Sequence, residues 1–178
     1  SPARRGTAVT GVPFEDAEHL QKETGILIDK FYINKSSSGF LYDVIEKYGG
    51  CKKFYSDFYM NFVCPVGIVR TNSKGNEVSC YYDSKKLQEI LYSLIVSSIQ
   101  AQIDFGIDTS VCYCIGSGDN YTFLSKINKK YNFFDEITPL EHPRFIMQYN
   151  SKHKYEYFEK YLTALKQNHG KEKEIAYR

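Results

Sequence analysis

The chain has 178 residues, 42% hydrophobic and 25% charged, the profile of one globular domain (1–178) large enough to bury a core. Its formal charge of +2 is nearly neutral, so bulk charge does not mark a nucleic-acid binder, and any such surface has to be local. No stretch is apolar for long enough to cross a membrane, no signal peptide is legible, and five cysteines without a repeating spacing read as reduced thiols of an intracellular protein.

Residues 1–14 read as a loop with arginines at Arg4 and Arg5, closed by TGVPF (Thr10–Phe14). A glycine and a proline two apart make a stiff turn, which aims Phe14 somewhere definite. A short polar helix over Glu15–Glu23 is stopped by Gly25. YINKSSSGF (Tyr32–Phe40) reads as a polar loop whose hydroxyls, Ser36, Ser37 and Ser38, precede a helix over Phe40–Tyr48 that Gly49 and Gly50 end. The apolar run Phe58–Val63 is expected to be a strand carrying Asn61, with Cys64 and Pro65 as its exit. Ser73–Gly75 is a turn. Leu87, Ile90, Leu91, Leu94, Ile95, Ile99 and Ile103 recur at three and four, which predicts an amphipathic helix. DTSVCYCIGSGDN reads as a strand, a glycine loop and a helix from about Asn120. Asp135–Leu140 reads as a strand leading into EHPRF. A last helix spans roughly 152–165, with a lysine-rich tail expected to fray.

Helices alternating with short strands predict an α/β layer fold with a mostly parallel sheet. Function in such sheets gathers at the carboxyl ends of the strands. The loops there hold Asn61, the stretch Gly116–Ser117–Gly118, and His142–Pro143–Arg144. A neutral imidazole after a strand can donate a hydrogen bond to developing charge, and Arg144 can meet a phosphate; the plainer reading is a surface turn. Asn61 is either a carboxamide that reads the edge of a base or one that pins its own loop. Phe14 either stacks on a flat ring or staples the first helix. GSGDN fails GxGxxG at Tyr121, so a tight turn with an Asp or Asn cap is preferred over a phosphate cradle. Cys112 and Cys114 share a strand face without the partners of a zinc site and read as small core residues.

The order of these segments resembles the uracil-DNA glycosylase superfamily, in particular its single-strand-selective monofunctional branch and the bacterial proteins related to it. The resemblance runs through TAVTGVPF, SSSGF, SDFYMNFVCPV, VCYCIGSGDNYTFL and EHPRFIMQY, most of the chain. It implies a three-layer sandwich around a central, mostly parallel four-stranded sheet. Residue by residue, it implies that Phe14 stacks on a flipped base, Asn61 reads its polar edge, and His142 hydrogen-bonds the base O2 as the leaving group gains charge. It further implies that Pro143 and Arg144 open a loop that presses into DNA, and that Ser36, Ser37 and Ser38 lie near the phosphate backbone. No metal or organic cofactor is implied. The expected partner is DNA with a damaged base, single-stranded or mispaired, met by a cytoplasmic monomer. The family's first motif, Asn-Pro-Gly or a variant, falls on Ser1, Pro2 and Ala3 when counted back from Phe14. A first strand and the water-positioning residue are therefore expected upstream, or that residue differs. Two other readings stand beside this one: a non-catalytic nucleic-acid-binding module, and a nucleotide-binding hydrolase on the same layers.

Overall fold

The computed structural model describes residues 13–14, 17–26, 35–73 and 75–175. In chain order the helices and strands are α1 (Ala17–Thr24), α2 (Lys35–Tyr48), α3 (Gly50–Asp57), β1 (Ile68–Asn72), β2 (Gly75–Ser79), α4 (Lys85–Asp104), β3 (Val111–Ile115), α5 (Asp119–Tyr131), β4 (Glu136–Leu140), α6 (Pro143–Tyr149) and α7 (Lys154–Ile175). Single 3-10 turns, Tyr81–Asp83 and Ser151–His153, lead into α4 and α7.

The sheet at the centre is β3 paired in parallel with β4, from Val111 opposite Glu136 to Ile115 opposite Leu140. Side chains alternate across a strand, and here the alternation separates two cores. Tyr113 and Ile115 face a cluster built on Phe40, Val44, Ile45, Leu140, Ile146 and Tyr161, from α2, β4, α6 and α7. Cys112 and Cys114 face the other, built on Tyr81, Ile95, Ile99, Phe123 and Ile127, from α4, α5 and the turn before α4. Helices therefore cover both faces, which is the expected α/β layer arrangement.

Local chemistry explains the elements. Ser84 caps α4 by accepting the Leu87 N–H at 3.1 Å, and Ile95 and Ile99 lie one turn apart on its buried face. Asn132 ends α5 with φ 52°, a left-handed cap that asparagine tolerates. Asn128 then clamps the turn into β4, its carboxamide bonding both the N–H and the C=O of Phe134. Gly49 and Gly50, both with positive φ, end α2 and start α3 without a linker.

Several expectations change. Phe58–Val63 forms no strand. Its aromatic ring at Phe58 packs on Tyr48, Phe54 and Tyr113, and the Phe62 N–H is taken by the Asn61 side chain, so the backbone is diverted from any ladder. Among the described residues the parallel sheet has two strands, and β1 and β2 form a separate antiparallel hairpin around the expected turn. The strand expected ahead of the first helix lies outside the described residues. Ser36–Ser38 belong to the start of α2 rather than to a loop. EHPRF is followed at once by helix α6, and α7 continues to Ile175 because its Lys- and Glu-rich tail consists largely of helix formers.

Candidate active site

The site is built where β4 ends. Leu140 is buried in the core, and the next two residues are fixed from below. The buried Tyr161 of α7 donates its hydroxyl to the Glu141 carbonyl at 2.5 Å. Lys160 grips both carboxylate oxygens of Glu141 at 2.8 and 2.9 Å. His142 then caps α6, its Nδ1 accepting the Arg144 N–H at 3.1 Å. Pro143 occupies the first helical position, where its missing N–H leaves nothing unsatisfied, and is itself buried.

This local arrangement sets the protonation of the histidine. Burial, followed by the neighbouring Arg144 guanidinium, pulls the His142 pKa down to about 4. The ring is neutral at physiological pH. Because Nδ1 accepts a hydrogen bond, the proton sits on Nε2, which is left as a donor.

Phe14 reaches the same place from the other end of the chain. Its ring centroid lies 5.4 Å from that of His142, with the planes at 48°. Its φ of 58° is unusual for an aromatic residue and costs about 1–3 kcal/mol, sustained only where surroundings hold it. The Phe14 ring thus lies against the histidine. Phe14, His142 and Asn61 all line one cavity of about 1330 Å³.

Asn61 is exposed, not buried in a strand. Its Oδ1 accepts the Phe62 N–H at 2.7 Å and its Nδ2 donates to the Tyr59 hydroxyl at 2.8 Å. Turning the amide over would set N–H against N–H at Phe62, so the orientation is fixed. One N–H and one lone pair remain to meet a ligand.

The sequence model of the uracil DNA glycosylase superfamily matches residues 1–166. The chain belongs to that superfamily. Among solved structures it is similar to the crystal structure of wild-type Pedobacter heparinus SMUG2, with 40% identity and a TM-score of 0.90 over 95% of this chain and 73% of that one. Comparison with curated proteins gives no match. The order of motifs in the sequence therefore identified the family correctly, and with it a DNA glycosylase, a hydrolase of base excision repair.

Within this glycosylase fold the other sequence candidates separate. Arg144 is exposed in the first turn of α6, beside the site. Pro143 was expected in a loop against DNA; it is buried beneath that turn, so the surface there is Arg144 and the half-exposed Phe145. Ser38 is 5% exposed within α2, which removes it from a phosphate-binding surface. The side chains of Ser36 and Ser37 lie outside the described residues. Gly116, at φ 116°, donates its N–H to the Leu140 carbonyl at 2.7 Å and so joins the glycine loop to the exit of β4. Ser117, Gly118 and Asp119 line the cavity there. Burial raises the Cys112 and Cys114 thiols to about 12 and about 11, as befits packed core residues. Among the described residues, no group of three or more His, Cys, Asp or Glu stands close enough to hold a metal ion, and no helix is long and apolar enough to cross a membrane.

Sequence reasoning missed Tyr59, Tyr161 and Phe145. Tyr59 stands two residues before Asn61 and Phe145 one after Arg144, so proximity to a candidate was the available signal. Nothing in the sequence linked Tyr161 to Glu141.

Proposed function

We propose that this glycosylase releases uracil or another deaminated base from DNA by hydrolysing the N-glycosidic bond, leaving an abasic site without cutting the strand. The observation that carries this reading is Phe14 set 5.4 Å from a histidine held neutral, at a cavity that Asn61 also lines. A flipped base stacks on Phe14, worth about 1–3 kcal/mol, and presents its polar edge to Asn61. As the bond to the sugar breaks, the base becomes anion-like. The Nε2–H of His142 then donates to the base O2 and stabilises that charge. The DNA phosphates favour the cation-like sugar, and water adds to its anomeric carbon.

Extrusion of the nucleotide is cheapest from single strands and mispairs, which are the preferred substrates in this reading. Arg144, Ser36 and Ser37 meet backbone phosphates. No lysine lines the cavity among the described residues, which supports base release without an amine nucleophile and hence a monofunctional enzyme. The protein acts as a cytoplasmic monomer.

The test is incubation with oligonucleotides carrying one uracil, single-stranded and duplex, before and after alkali. Strand breaks that appear only after alkali are expected. Breaks without alkali would overturn the monofunctional mechanism. DNA binding without product from uracil, xanthine or hypoxanthine would favour a non-catalytic binding module. Activity that requires free nucleotide or Mg²⁺ would favour a nucleotide hydrolase.

A further inference from the structure

The solvent face of α6 carries an inference that rests on the proposed glycosylase reading and extends it from the flipped base to the strand beside it. The helix has two sides. Pro143 and Ile146 are buried, and Met147 packs against the core around Phe40 and Tyr161. Arg144, Phe145, Gln148 and Tyr149 are exposed. On a helix, residues one turn apart are neighbours, so these four form one stripe. A basic and an amide side chain run along it beside two aromatic rings, and none of the four is acidic.

The rings lead away from the site. Phe145 is 45% exposed and lines the same cavity as Phe14, Asn61 and His142, so it stands at the rim. Tyr149, one turn farther along, is 70% exposed, and its ring therefore serves no core. The two centroids lie 6.0 Å apart with the planes at 44°. Inclined planes make no parallel-walled slot, so a base does not enter between the rings and stacks on the solvent side of the pair. Tyr149 offers the larger free surface, and Phe145 braces it.

This stripe fits an unpaired DNA strand. A base of any kind stacks on an aromatic ring, and the phosphates that follow it meet arginine and amide side chains. The step from Phe145 to Tyr149, 6.0 Å, spans about two nucleotides of a stacked strand at ~3.4 Å each, which brings the bases next to the cavity within reach.

We propose that Tyr149, braced by Phe145, is a DNA-binding residue that stacks on an unpaired base flanking the flipped nucleotide.

The experiment measures KM and kcat for wild type, Tyr149→Ala and Tyr149→Phe on single-stranded oligonucleotides carrying one uracil. A second set places an abasic spacer on one side of the uracil or the other, which keeps the phosphates and removes one flanking base. Loss of one stacking contact predicts that Tyr149→Ala raises KM about five- to twentyfold with kcat unchanged, while Tyr149→Phe keeps the wild-type values. A spacer on one of the two sides should raise the wild-type KM by a similar factor and leave that of Tyr149→Ala unaltered. The salt dependence of KM should be the same in all three proteins, since no phosphate contact is lost. The urea midpoint should also stay the same, because the ring is exposed.

Equal losses in Tyr149→Ala and Tyr149→Phe would show that the hydroxyl acts and not the ring, and would overturn the proposal. A Tyr149→Ala enzyme that responds to the spacers as wild type does would place the flanking base elsewhere, and would also overturn it. So would an unchanged KM in Tyr149→Ala, or dimers that wild type forms and the variant does not, which would make this face a contact between two copies of the chain. A wild type that releases no base would take down the glycosylase reading and this one with it. A wild type that releases uracil, with the same spacer response in the variant, removes this inference alone.

Discussion

Two of the polar groups that line the cavity, His142 and Asn61, are held in opposite ways. His142 is locked from beneath: Tyr161 and Lys160 fix the preceding residue, Pro143 is buried, and the imidazole caps the helix that follows. Asn61 sits on an exposed segment without secondary structure, and its side chain is fixed by its own neighbours, Tyr59 and Phe62. The difference matches the two tasks proposed for them. A group that stabilises developing charge contributes most when it needs no reorganisation at the moment of reaction. A group that reads a base has to admit the base first, and local anchors keep its orientation while leaving the approach open.

The largest expected effect is at the locked group. His142→Ala should lower kcat about 10²- to 10³-fold while DNA affinity, measured on uncleavable substrate, changes little. Equal losses in both would show that the histidine binds rather than stabilises. Asn61→Ala should lower kcat/KM about ten- to hundredfold, since the polar edge of the base is left unpaired. The same change should leave the urea midpoint nearly untouched because the residue is exposed. A folding defect would show that the segment depends on Asn61 for its own structure, and the contrast between the regions would fail.

Tyr161→Phe tests the lock itself. The change leaves the Glu141 carbonyl unpaired and should cost about 1–3 kcal/mol of stability, measured by urea unfolding. It should also reduce kcat several-fold without altering the preference among bases. The smallest effect concerns pH. His142 has a folded pKa of about 4 against an ordinary value near 6.5, so the unfolded chain takes up the proton first as pH falls. The stability associated with neutral His142 is complete above about pH 6.5 and is lost progressively down to about pH 4. Activity should hold between pH 7 and 5 and fall only near 4. An acid limb centred at 6.5 would show that the ring is solvated in solution.

Much of the layer order was legible. The three- and four-residue spacing in α4 and the strand–loop–helix pattern around Gly116 follow from side-chain periodicity and glycine placement, which are local properties. The run at Phe58 was not legible, because aromatic residues in succession suit a strand and a loop that packs ring by ring equally well. The antiparallel hairpin was missed for the opposite reason: Ile68–Asn72 and Gly75–Ser79 are short and polar, and only the turn between them had a clear signature. Asn61 was recognised as a candidate but with the wrong setting, since burial is not written in a single residue's neighbours.

The sequence by itself determined that Gly11 and Pro13 stand just ahead of Phe14, that a proline follows His142, and that the order of motifs belongs to one superfamily. These are properties of neighbouring residues, where backbone sterics act without the rest of the fold. Only the tertiary structure decided that Phe14 meets His142, that Tyr161 secures Glu141, and that the histidine is neutral. Those outcomes depend on burial and on contacts between distant segments, which exist only once the two cores have closed over the sheet.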